Sequence, residues 1–147
     1  MLMKIAQFER LFREAASLDV DKDDLKRLSD FLRDKMHDLL LAGQRAARHN
    51  GRDVIQPPDL PVTNGLQQSM HAFRQLDVAL DLEPVLAAMA GAPIDVATSE
   101  EVERLLPDLA GALVVAYAKA IRIIDPKVRN PGSQHHEAAR AVFDLLL

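Results

Sequence analysis

The sequence predicts an all-α fold in which two tandem copies of a short-long-short helical unit pair within one chain. Three observations lead there. Apolar residues recur at spacings of three and four along most of the chain, the period of one helical face. Stops such as Gly51, Pro93 and Asp125-Pro126 cut this pattern into short and long stripes. The motif order of the first half also returns 76 to 77 residues later.

From Ile5, the residues Phe8, Leu11, Phe12 and Ala15 form a short first helix ending near Ser17. Leu18 to Asp24 is a loop whose carboxylates suit the start of the next helix. A long stripe then runs through Leu25, Leu28, Leu32, Met36, Leu39, Leu40, Ala46 and Ala47 to about Asn50, with Gly51 as its C-terminal cap. Gly51 to Gln56 is a β-prone connector, and Pro57-Pro58 opens a third, short helix that Asn64-Gly65 ends or bends. Leu66, Met70, Phe73 and Leu76 continue into a connecting helix over 67–81.

The second half, 82–147, repeats the plan of 1–66. Leu82, Val85, Leu86 and Met89 make a short helix, which Gly91-Ala92-Pro93 breaks. Thr98 and Glu101 fit a capping box before a long stripe from Val102 to Ile124, with a kink expected at Pro107. Asn130-Pro131-Gly132 turns into a last helix that directs Ala139, Val142, Phe143 and Leu146 inward. Leu18-Asp19-Val20 matches Ile94-Asp95-Val96, and Leu25, Arg27, Leu28, Leu32 and Met36 match Val102, Arg104, Leu105, Leu109 and Leu113. Each copy is too small to bury its long helix alone, so the two are expected to share one core and form a single domain.

The 147 residues, 48% hydrophobic and 27% charged, suit one compact globular unit. With no Cys, disulfides, thiolate metal sites and a Cys nucleophile are excluded. Aromatic content of 4%, with no Trp and one Tyr, argues against stacking platforms for single strands. The N-terminus lacks a secretory pattern, and the ten-residue apolar run from Leu109 to Ala118 is about half the ~20 residues needed to span a bilayer. A cytoplasmic protein without membrane contact is expected. Net charge is -4, unevenly distributed. Residues 1–75 hold 12 Lys and Arg against 11 Asp and Glu, while 76–147 hold 6 against 11.

Short, long and short helices in this order resemble the histone fold, and Ala46 to Leu60 resembles an archaeal histone stretch. There a basic helix end, Gly-Arg, a β-branched loop and an acidic residue follow one another, as Arg48, Gly51-Arg52, Val54-Ile55 and Asp59 do here. The whole chain, with Leu18 to Lys22 and Leu109 to Tyr117, resembles a small bacterial family of fused, pseudo-dimeric histone-fold proteins of uncharacterised function. The resemblance implies a structural ion pair between Arg52 and Asp59. In the second copy the counterpart would be Arg129 with Glu137, or with His136. It also implies two DNA-facing ends, each joining one copy's first loop to the other's second loop. Archaeal histones carry an Arg in the first loop, whereas the matching positions here are Asp19 and Asp95. One end, from Asp19 to Asp24 with Lys127 and Arg129, sums to -1. The other, with Asp95, Glu100, Glu101, Arg52 and Asp53, sums to -3. Acidic ends repel phosphate.

The expected function is therefore protein-protein interaction without catalysis. Its partners are the chain's own two halves and, outwardly, a second copy or another protein. The alternative is a nucleoid-associated protein binding DNA without sequence preference. Such contacts would run through Lys4, Arg10, Arg13, Arg52, Lys127 and Arg129, although Arg10, Arg13, Arg45, Arg48 and Lys35 sit among carboxylates as on a solvated face. No catalytic residue, metal ligand or cofactor is implied. His135 and His136 are adjacent, hence about 100 degrees apart on a helix, and suit capping better than chelation. His37, His49 and His71 are isolated. Asp21, Asp23 and Asp24 lack the Gly and Glu of a calcium loop, and no phosphate-binding or nucleophile motif occurs.

Overall fold

The structure, a computed structural model, describes residues 5–76, 78 and 97–147. It is mainly helical, with a two-stranded parallel sheet. Helix α1 (Ile5–Ala16) buries Phe8, Leu11 and Phe12 and closes at Ser17, whose φ of 55° turns the chain into the left-handed region. Helix α2 (Lys22–His49) begins with a capping box. The Asp24 amide donates to Asp21 Oδ1 and the Asp21 amide to Asp24 Oδ2, each at 2.9 Å. It closes where Gly51, at φ 71°, donates to the Arg48 carbonyl, a conformation glycine adopts without strain.

Strand β1 (Val54–Ile55) and a 3-10 turn (Pro57–Asp59) lead to helix α3 (Asn64–Leu76). The expected helix from Pro57 is thus only that turn, and Asn64-Gly65 starts a helix instead of ending one. Thr63 explains the start, because its Oγ1 accepts from the Leu66 amide at 3.2 Å and its carbonyl from the Gln67 amide at 2.9 Å. The boundary drawn at residue 66 therefore falls inside a continuous helix. The expected short helix at 82–89, Pro93 and Asp95 lie outside the described residues, as does Lys4.

Strand β2 (Ala97–Thr98) precedes helix α4 (Glu100–Ile124), which Ser99 caps by accepting from the Val102 amide at 3.2 Å. Thr98, expected as the cap, lies in the strand and donates to Glu103 at 3.2 Å. Pro107 stands inside α4, which runs from Glu100 to Ile124 without a break. Helix α5 (Ser133–Leu146) turns His136 and Ala139 inward, with Phe143 packed against the core. Val142 and Leu146, expected inward, are 42% and 74% exposed, because the buried face follows 136, 139 and 143. Ile123 and Ile124, at the last turn of the long stripe, also face outward at 78% and 40%.

Helix α4 is the centre of the core, against which α1, α2, α3 and α5 pack. Its closest neighbour is α3. A Cβ at Gly111 would collide with the ring of Phe73, so the glycine sets how near the two helices come. Two crossed loop pairings hold the halves together. β1 pairs in parallel with β2, Val54 opposite Ala97 and Ile55 opposite Thr98, and the Ser99 amide extends the ladder to the Ile55 carbonyl at 2.9 Å. At the other end the Asp19 amide donates to the Arg129 carbonyl at 2.8 Å.

Candidate functional site

The crossed loops create two ends, and at each the arginines are engaged within the protein. At the end formed by β1 and β2, Arg52 forks onto Asp59, Nη1 to Oδ2 at 2.5 Å and Nη2 to Oδ1 at 2.6 Å. Asp59 also accepts from the Gln56 amide at 2.8 Å, which fixes the carboxylate as the acidic cap of the 3-10 turn. The hydrogen bonds from Arg52, joined by that amide, pull the Asp59 carboxyl down to about 2. Asp53, Glu100, Glu101 and Glu103 are exposed at this end, alongside Arg104, which approaches Glu101 at 3.9 Å, and Arg48 in the last turn of α2.

At the opposite end Arg129 reaches Asp19, Nε to Oδ2 at 3.3 Å, and Arg13 lies 3.9 Å from the same carboxylate. Arg129 therefore does not form the second-copy ion pair with Glu137 or His136. The different spacing leaves its side chain 82% exposed beside the first loop, while His136 is buried elsewhere. The residue that organises this end is Arg122, which the sequence did not single out. Its guanidinium donates to the carbonyls of Ala16, Ser17, Pro126 and Val128 over 2.6 to 3.1 Å, tying the two loops to one cation. An arginine inside the apolar run that closes a long helix was the available signal. Of the other cations proposed for DNA, Arg10 pairs with Glu14 at 3.2 Å, and Lys127 is exposed. Asp24 also leaves this surface, so the set expected to carry -1 no longer does, and Arg13 and Arg122 add positive charge beside it.

Asp24 instead joins a buried relay across three helices. Its Oδ1 lies 2.8 Å from His136 Nε2, and His136 Nδ1 lies 2.6 Å from the Tyr117 hydroxyl. The three residues are 5%, 3% and 1% exposed. Burial alone would raise the Asp24 carboxyl, but bonds from His136 and the Asp21 amide outweigh it and hold the group below its ordinary value of 3.8. An ionised Asp24 accepts a hydrogen bond from Nε2–H of His136, which leaves Nδ1 to accept from the phenol. Burial, reinforced by the charge of Asp24, pushes the Tyr117 hydroxyl well above its ordinary value, so it stays a donor. His135 fills the capping role, since its Nδ1 accepts from the Gly132 amide at 2.9 Å and its Nε2 meets Asp125 at 3.0 Å. The sequence marked the two histidines but not which one enters the core.

Two measurements follow from these pairs. The Asp59 carboxylate contributes stability in full above pH 3.8, and that contribution is lost as pH falls through about 2. Thermal unfolding of Asp59→Asn should thus show a shallower decline across that window than the parent, and equal slopes would contradict the pairing. Replacing His136 by Ala leaves the Tyr117 hydroxyl and an Asp24 oxygen buried without their partner, so urea unfolding should report a loss on the order of 1–3 kcal/mol. Tyr117→Phe removes only the hydroxyl and should cost about 1 kcal/mol.

Similar proteins extend along nearly the whole chain. Residues 8–144 match a family described as a domain of unknown function, DUF1931. An uncharacterised protein of Aquifex aeolicus (strain VF5) is 31% identical over 139 residues, covering 85% of this chain and 81% of its own. Another from the same organism is 21% identical, with 94% and 81% covered. A crystal structure from Thermus thermophilus is 58% identical, with a TM-score of 0.95 over 100% of both chains. One from Aquifex aeolicus shares the fold at 20% identity, with a TM-score of 0.82 over 97% of this chain and 95% of its own. The chain thus belongs to the DUF1931 family.

Proposed function

We propose that the chain is a histone-fold pair contained in one polypeptide, non-enzymatic, and acting through protein-protein contacts. The crossed loop pairing carries this reading. Each half presents a loop after its long helix, and each such loop lies against the loop that precedes the other half's long helix: 54–55 against 97–98, and Arg129 against Asp19. Two units that swap loops in this way are each other's partner, as the subunits of a histone dimer are.

The charges at the two ends support a partner other than DNA. Phosphate contact requires cations whose counterions can be released. Arg52, Arg122 and Arg129 are instead engaged by carboxylates or carbonyls of the protein, and the β-paired end presents exposed carboxylates. Leu145 and Leu146, 86% and 74% exposed beside Val142, supply an apolar edge of the kind that protein contacts use.

Titrating the purified protein with duplex DNA at two salt concentrations tests this reading. The expected result is no salt-sensitive association. Binding that weakens steeply with salt would overturn it in favour of a nucleoid-associated role through the end that holds Asp19 and Arg129.

A further inference from the structure

Helix α5 is held to the rest of the protein differently from α4. Of its 14 residues His136 and Ala139 are buried, with Phe143 partly covered, whereas α4 buries every residue from Leu109 to Val115. The flank of α5 toward α2 is not sealed. Open clefts of about 350 Å³ and 410 Å³ lie between the two helices, one beside Tyr117 and His136, the other beside Lys35 and Leu147. An element with few buried apolar contacts opens at low free energy.

What spans the gap is mostly charge. Arg140 reaches Asp34 at 2.6 Å, Asp144 reaches Lys35 at 2.6 Å, and His136 meets Asp24 at 2.8 Å, so successive turns of α5 are each tied to α2. The side chains of Arg140, Asp34 and Asp144 are 34%, 37% and 53% exposed, which lets salt screen their pairs. Phe143 adds an apolar tie through Phe31, ring centroids 4.9 Å apart. Beneath these contacts Phe31 and Tyr117 are each 1% exposed. His136 covers the Tyr117 hydroxyl at 2.6 Å and Phe143 covers its ring, centroids 6.2 Å apart. The loop before α5 has anchors of its own, since Arg122 holds the carbonyls of Pro126 and Val128 and the Asp19 amide holds that of Arg129.

We propose that α5 is a latch. It swings from α2 and α4 as one unit about residues 130–132 and uncovers Phe31 and Tyr117, while α1 to α4 and the crossed loops keep their packing. The ion pairs to α2 set how often it opens.

Residue-resolved hydrogen exchange of the full chain at neutral pH, followed by NMR, tests the proposal. The amides of 137–146 should exchange at one common opening rate, at least about tenfold faster than those of 109–118 once intrinsic rates are removed. Raising NaCl from about 0.1 M to about 1 M, which shortens the screening length from about 10 Å to about 3 Å, should speed α5 about threefold and leave 109–118 unchanged. Arg140→Gln should do the same at the lower salt. Arg74→Gln, which removes a comparably exposed pair between α3 and α4, should leave α5 unmoved. Equal protection of α5 and α4, or perturbations that speed both alike, would show that α5 opens only with the whole chain and would overturn the proposal. Exchange graded inward from residue 146, as in end fraying, would overturn it as well, and so would an α5 that responds to neither salt nor Arg140→Gln, or that responds to Arg74→Gln.

Discussion

Burial of one helix on every side is the constraint on which the rest of this structure depends. From Leu109 to Val115 each successive residue of α4 is buried, and a helix turns fully in 3.6 residues. No side of that stretch is left for water. A helix so apolar forms in water only if other elements surround it, and α5, from its own half, covers one flank. The remaining cover is α1, α2 and α3 from the first half, with Gly111 allowing Phe73 to sit against the backbone. At about 0.8 kcal/mol per buried methylene, the Leu and Val side chains of this run make separation of the halves costly.

The polar ties between the halves act within that apolar frame and determine how the halves sit. Arg122 gathers carbonyls from both halves, and Asp24 bonds to His136 across a sequence separation of 112 residues. Lys35 and Arg140 join α2 to α5 through Asp144 and Asp34, and Arg74 joins α3 to α4 through Asp108 at 2.8 Å. Buried polar groups are expensive unless satisfied, and no buried side-chain nitrogen or oxygen among the described residues lacks a partner. Such directional contacts favour one arrangement of the helices over others that would bury similar apolar area.

Much of the helical layout was legible because it rests on periodicity. The stripes of α1, α2 and α4 have the 3.6-residue repeat, and Gly51 and Asp125 stop helices where the chain must turn. The third helix was misplaced because two adjacent prolines suggest a start, while the decisive acceptor, Thr63, is one hydroxyl with no periodic signature. The burial of Val142 and Leu146 was misjudged for a related reason. A short amphipathic helix with several apolar residues admits more than one inward face, and His136 selects the face through partners far away in sequence. Arg52 and Asp59 were legible as a pair through the histone resemblance, whereas the relay arises only when separate helices meet.

The claim that one core needs both halves is tested most directly on residues 1–76 alone, which end where α3 ends. Urea unfolding followed by circular dichroism, over a range of protein concentrations, is the measurement. The account predicts that the fragment has no cooperative, concentration-independent transition, because its apolar faces lose α4. A cooperative transition at a position independent of concentration, from a fragment that sediments as a monomer, would contradict it.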